Sequence, residues 1–279
     1  MLKGRNILLY LVKKYNSDFD TIISAIRNKE DVIEEEVEKV VFSTKTKFIT
    51  LLDAEYPTKL KSCFRPPFCL FCLGNTSLLN DRTKKIGVIA YSETLTTEKT
   101  MKRVIGGLNS DLVIITTLDD YVCREALKDA LDKGLKTILV VNKGLDQLSS
   151  FDEEARGLCC MVLENNGLII SEFADGCVEM KKADKEIRKP YSLLISDLAS
   201  ILLVGEVSKV NNDKMNAHIL YAEEKNNEIC VIPTNPENGK SYNNNLIADG
   251  AVLVDDSNYI NNFVRELVEE SKEDEEMDM

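Results

Sequence analysis

The sequence predicts an α/β protein: a doubly wound, mostly parallel sheet preceded by a small helical domain. Three observations predict it. Seven short, almost wholly apolar runs recur from residue 86 onward: "IGVIAY" (86–91), "LVIIT" (112–116), "TILVVN" (137–142), "LIIS" (168–171), "ILLVGE" (201–206), "EICVIP" (228–233) and "AVLV" (251–254). Stretches with helical spacing lie between them. The first fifty residues carry helical spacing with no such run among them. Short strands that are apolar at every position are buried on both faces, and their alternation with helices is the pattern of a parallel sheet covered on both sides. The arrangement is Rossmann-like, over residues 85–256.

Taken in order, "NILLYLVKKY", "FDTIISAIRNK" and "VIEEEVEKVVF" place apolar residues three and four apart, with Asp18 or Asp20 as the cap of the second segment. Short loops join them, so residues 1–50 read as a helical bundle. The segment 51–84 holds Pro57, Pro66 and Pro67, three of the six prolines, and reads as an extended connector entering the sheet. Within the α/β part, "YVCREALKDALDKG" repeats Val122, Ala126 and Ala130 at i, i+4, and Gly134 supplies a helix C-cap. Residues 257–279 read as a C-terminal helix ending in the acidic tail "ESKEDEEMDM".

Composition bounds the function. The net charge is −12, so no global positive field collects nucleic acid, and any such binding must come from a local patch. No apolar run approaches the roughly eighteen residues that span a bilayer. The N-terminal "ILLYLV" is shorter than a secretory core and no small-residue cleavage site follows, so the expected location is cytoplasmic. The eight cysteines are scattered, mostly in apolar runs, as reduced core thiols are. "CLFC" (69–72) has metal-like or redox-like spacing, but it follows Pro66-Pro67 in a strand-like run instead of opening a helix, and His218 is the single histidine. Neither a metal nor a cofactor is expected.

A doubly wound sheet carries its site in the loops after the strand C-termini. The first loop, Ala90, Tyr91, Ser92 and Glu93, lacks G-x-G-x-x-G, and no P-loop motif occurs anywhere. The second, "TTLDDYV" (116–122), has no glycine and two carboxylates; the third, "NKGLD" (142–146), has one glycine and a lysine. No G-x-S-x-G elbow exists, and His218 lies in a helical stretch where a surface or packed histidine is the ordinary reading. The chain is therefore expected not to be an enzyme. One basic cluster stands out: in "EMKKADKEIRKPY" (179–191), Lys181, Lys182, Lys185, Arg188 and Lys189 could track a phosphate backbone, with Tyr191 to stack on a base. A solvated lysine-rich loop is the other reading of the same residues.

These landmarks resemble the DprA/Smf family of DNA-processing proteins. "LLDAEYPTKLKSCFRPPFCLFCLGN" (51–75) is similar to that family's entry into its Rossmann domain, with Tyr56, Pro57, Leu60, Pro66, Pro67, Leu70, Gly74 and Asn75 at matching places. Residues 109–146 are in register with the family's second and third strands, and "LIISEF", "LLVGE", "VIP" and "NLIADGA" follow in order. The resemblance implies a sterile-alpha-motif-like N-terminal domain and an extended Rossmann domain. It also implies single-stranded DNA binding without catalysis, loading of a RecA-type recombinase in natural transformation, and action as a homodimer. Ser92, in the first loop, and Asn244, which keeps its place, join the basic segment as implied DNA-binding residues. The departures are equally specific. The family's Gly-Ser-Arg loop is Ala90, Tyr91, Ser92 here, and its glycine-rich second loop has become Thr116 to Leu127 with Asp119 and Asp120. Carboxylates in place of glycine N–H donors and an arginine repel phosphate. Two further readings stay open beside DNA binding: a protein-interaction or regulatory scaffold that has lost DNA binding, and a sensor of a small nucleotide.

Overall fold

The computed structural model describes residues 3–63, 65–92, 97–177, 193–208, 211–235 and 241–277. The chain falls into two compact units, each discontinuous in sequence: Met1–Thr83 with Thr137–Leu198, and Lys84–Lys136 with Ala199–Met279.

The first unit opens with α1 (Gly4–Lys14), α2 (Phe19–Arg27) and α3 (Glu34–Ser43). Asp18 is the cap of α2, its carboxylate accepting from the Thr21 N–H at 2.9 Å. Tyr10 donates to Glu36 at 2.7 Å, tying α1 to α3. A strand, β1 (Lys47–Thr50), falls at the end of the stretch read as helical. It pairs antiparallel with β2 (Cys69–Gly74), which follows the one-turn helix α4 (Thr58–Lys61). β2 in turn pairs antiparallel with β6 (Leu168–Ser171), and β6 runs parallel to β5 (Lys136–Val140), which begins at the boundary between the units. Helix α7 (Glu153–Glu164), capped by Asp152, lies between β5 and β6, and α8 (Leu193–Leu198) ends the unit.

β1 is an edge strand, and charged side chains engage main-chain groups along it and just before it. Asp175 accepts from the N–H groups of Lys45 and Thr46 and from the Thr46 hydroxyl, Arg5 donates to the Phe48 carbonyl at 3.2 Å, and Asp53 accepts from the Thr50 N–H at 2.7 Å. Charged side chains that consume an edge's hydrogen bonds stop it from recruiting another strand.

The second unit is all parallel in the order β4-β3-β7-β8-β9. Its strands are β3 (Lys85–Tyr91), β4 (Val113–Thr117), β7 (Ile201–Val207), β8 (Glu228–Val231) and β9 (Val252–Leu253). Its helices are α5 (Glu98–Gly106), α6 (Tyr121–Asp132), α9 (Asn212–Glu224), α10 (Tyr242–Ala248) and α11 (Asn258–Met277). Alternate residues Ile86, Val88 and Ala90 of β3, with Ile201 and Leu203 of β7, pack on Met101, Val104 and Ile105 of α5 and on Cys123, Ala126 and Ala130 of α6. Ile89, Leu202 and Val204 are buried as well, so both sheet faces are covered, as the unbroken apolar runs require. Gly134 takes φ +79° after α6, the left-handed conformation that ends a helix.

One irregularity shapes the strand ends. β3 and β7 are in step from Ile86↔Ile201 to Ile89↔Val204, but Tyr91 pairs with Val207. Gly205 and Glu206 therefore stand against Ala90 alone, which is a β-bulge. A Cβ on Gly205 would lie 3.0 Å from the Ala90 Cβ and 3.1 Å from the Met101 methyl, so close approach requires the glycine. Fully buried Asn243, from α10, satisfies the groups the bulge leaves over. It donates to the carbonyls of Gly205 (2.6 Å) and Ile232 (2.9 Å) and accepts from the Val207 N–H (3.2 Å).

Candidate nucleic-acid interface

In a parallel sheet the carboxyl ends of the strands are where ligands bind. In the second unit those ends are Tyr91 and Ser92 after β3, Thr117 to Asp120 after β4, Ser208 after β7 and Ile232 to Thr234 after β8.

The place for an anion is filled by the chain itself. Asp120 caps α6, its Oδ1 accepting from the Val122 N–H at 2.9 Å, while its Oδ2 accepts from the Ser92 N–H at 2.9 Å. One carboxylate thus takes a donor from a helix N-terminus and a donor from the neighbouring strand exit, the groups that elsewhere hold phosphate. Burial pushes the Asp120 carboxyl above the usual carboxylate range, and the Val122, Ser92 and Cys123 N–H groups oppose the rise. Phosphate would have to displace this carboxylate or sit beside it.

Next to it, Tyr91, the last residue of β3, is held at its main chain and at its hydroxyl. The Tyr91 carbonyl accepts from the Ser208 N–H at 2.9 Å and from the Asn211 amide at 3.3 Å. Its hydroxyl and His218 Nε2 share a hydrogen bond at 3.0 Å, and the Lys214 ammonium lies 5.5 Å from its ring centroid. Asn211, Lys214 and His218 are spaced i, i+3, i+7, one face of α9 and its cap. His218 is 1 % exposed and Lys214 is exposed. The packed histidine is thus an anchor for a tyrosine at the strand exit. Two signals for this constellation were in the sequence: the helical spacing of those three side chains, and a glycine inside the apolar run "ILLVGE", which marks a bulge.

Of the residues expected to bind DNA, Ser92 is buried at the exit of β3, its N–H given to Asp120. Asn244, on α10, bonds in both directions to the Thr234 main chain, accepting its N–H at 3.1 Å and donating to its carbonyl at 3.0 Å. Both belong to the second unit. Lys181, Lys182, Lys185, Arg188, Lys189 and Tyr191 lie outside the described residues, as does Glu93.

The other candidate groups are occupied. Lys143, in the loop after β5, donates to Ser150 at 3.0 Å and lies 4.2 Å from the Phe151 centroid. Cys69 and Cys72 are buried in β2, which raises both thiols, Cys72 to about 12. Among the described residues no helix is long and apolar enough to cross a membrane.

The family model for DNA recombination-mediator protein A matches residues 47–265. The chain belongs to that family. DNA processing protein DprA of Streptococcus pneumoniae is 28 % identical over 207 residues, 74 % of this chain and 70 % of that one. The solved structure of that protein superposes with a TM-score of 0.70 at 21 % identity, covering 92 % of this chain and 96 % of the other. DNA processing protein A from Helicobacter pylori, studied for its single-stranded DNA binding mode, matches with a TM-score of 0.63 at 21 % identity, over 81 % of this chain and 98 % of that one. These likenesses establish the Rossmann-like DprA fold. The family match begins at Lys47, the first residue of β1, and so takes in both units.

Proposed function

We propose that this chain is a non-catalytic DNA-processing protein that binds single-stranded DNA. Lys181, Lys182, Lys185, Arg188 and Lys189 supply the phosphate contacts, and Tyr191 stacks on a base. In this reading it delivers the strand to a RecA-type recombinase in natural transformation and works in the cytoplasm as a homodimer. Membership of the recombination-mediator family across 47–265 is the observation that carries the proposal. The cluster of five cations in a chain of net charge −12 supports its location, since a local patch is the one electrostatic route to a phosphate backbone here.

The Asp120 carboxylate between the Ser92 and Val122 N–H groups favours a second reading, a DprA-fold protein that has given up DNA and serves as an interaction or regulatory scaffold. Gel-shift titration of an oligo(dT) separates the two. Five phosphate contacts on a single strand give a salt slope of about −3.5, so affinity should fall roughly a hundredfold between 50 and 200 mM salt. Binding of that kind, abolished by charge reversal at Lys181, Lys182 and Arg188, supports the mediator. No shift at micromolar protein and low salt leaves the scaffold.

A further inference from the structure

The strand ends of the second unit hold a feature that no phosphate contact explains. A tyrosine stands at the exit of β3, next to a position that repels anions, and three hydrogen bonds fix its placement. The bulge at Gly205 and Glu206 shifts β7 by one residue against β3, and bulges of this sort re-aim the strand they face. The buried amide of Asn243 holds the bulge. The Ser208 N–H and the Asn211 amide then hold the Tyr91 carbonyl, while His218 holds its hydroxyl. A ring pinned at both ends loses little rotamer freedom when a second flat group lies on it, and that preorganisation is what makes a stacking surface effective.

We propose that Tyr91 is a stacking platform for an exposed nucleobase of single-stranded DNA, with Lys214 as the cation for an adjoining phosphate. The proposal rests on the DNA-binding reading above and adds a subsite to it. Electrostatics select the base over the phosphate at the platform itself. Asp120, with exposed Asp119 beside it, disfavours an anion at the β3 and β4 exits, whereas a neutral base bears no charge to be repelled. Lys214 is one helical turn before His218 on the same face of α9, exposed and within 5.5 Å of the ring, so its ammonium can move onto a phosphate of the strand whose base is stacked. An aromatic face with a flexible cation at its side is the pairing by which single strands are held without sequence preference. A free nucleotide offers the same two groups, and the test separates it from a polymer.

His218 is the single histidine of the chain, so its imidazole gives one resolved signal in a carbon–proton NMR spectrum of the labelled full-length protein. It touches Tyr91, so it reports stacking without any mutation. Titration with oligo(dT) should shift that signal in step with the gel-shift binding curve, while thymidine monophosphate at the same base concentration leaves it in place. Tyr91→Ala should weaken oligo(dT) binding about tenfold, the scale of one base on one ring, and Tyr91→Phe, which keeps the ring, should restore most of it. Lys214→Ala should lessen the salt slope by about one. If oligo(dT) binds while the His218 signal stays still, or if the mononucleotide shifts it as strongly, the platform proposal is overturned and the DNA-binding reading survives. If no oligonucleotide binds, both fall.

Discussion

The edge of the first unit and the strand ends of the second face the same chemical problem, main-chain groups left over by a sheet, and they solve it in opposite ways. Along β1 and just before it the leftover groups are taken by partly exposed charged side chains, Asp175, Arg5 and Asp53. At the β3–β7 bulge they are taken by the fully buried Asn243 amide, for which no water substitutes. The first device closes an edge; the second holds a tyrosine at a fixed place. Lysines divide along the same line. Lys143 of the first unit is spent on Ser150 and Phe151, whereas Lys214 of the second stands exposed beside Tyr91. Sealing needs only that hydrogen bonds be made, while positioning needs that they be made in one geometry.

Four experiments break or sharpen this contrast. The largest effect is one the units share, and it sets the pH window for the others. Burial raises the thiols of Cys69, Cys72 and Cys159 in the first unit and of Cys123 and Cys230 in the second; Cys159 reaches about 11, and Cys72 and Cys230 about 12. The folded state thus keeps protons that the unfolded state loses above the ordinary thiol pKa of about 8.5, so stability falls as pH rises past that value, by about 1.4 kcal/mol per pH unit for each thiol. Urea midpoints measured from pH 7 to 10 should drop steeply after pH 8.5; a flat profile would show these thiols to be accessible.

At neutral pH the buried amide should matter most. Asn243→Leu strands two carbonyls and one N–H inside the second unit, at about 1–3 kcal/mol each, for a loss of at least ~3 kcal/mol in urea unfolding. Asp175→Ala, which acts just before β1, should cost only about 1 kcal/mol because water can reach the N–H groups of Lys45 and Thr46 that it frees, but light scattering should show self-association as those donors open beside the edge strand. An Asn243 loss no larger than the Asp175 loss would erase the contrast. The smallest effects on stability come from the lysines, and they should divide by function: Lys143→Ala lowers the urea midpoint slightly and leaves oligo(dT) affinity alone, and Lys214→Ala does the reverse.

Much of the fold was legible because its signals are local. "LIIS" is β6 residue for residue, and "IGVIAY" and "ILLVGE" each fall one residue short of β3 and β7. Asp18 as a cap and Gly134 as a helix terminator needed no partner beyond their own turn. What escaped depends on residues far apart in sequence. β1 has four residues and exists through its pairing with β2, and β2 lies in a segment whose prolines dominate its pattern. The bulge is a register between β3 and β7, and Asn243 reads as one of three consecutive asparagines until the carbonyls it serves are seen. The proposed site shows in the sequence as composition at Lys181 to Lys189, outside the described residues, and as a departure at Ala90 to Ser92. Tyr91 gained meaning only from His218, 127 residues later.

The central claim is that single-stranded DNA meets this protein at the strand ends of the second unit and along the basic segment. Photo-crosslinking with a 5-iodouracil-substituted oligonucleotide, followed by peptide mapping, tests it most directly, since that base couples to the aromatic ring it stacks on. The account predicts adducts on the peptides bearing Tyr91 and Tyr191, lost on charge reversal of Lys181, Lys182 and Arg188. Adducts confined to the first unit's helices, or none under conditions where the oligonucleotide is bound, would contradict it.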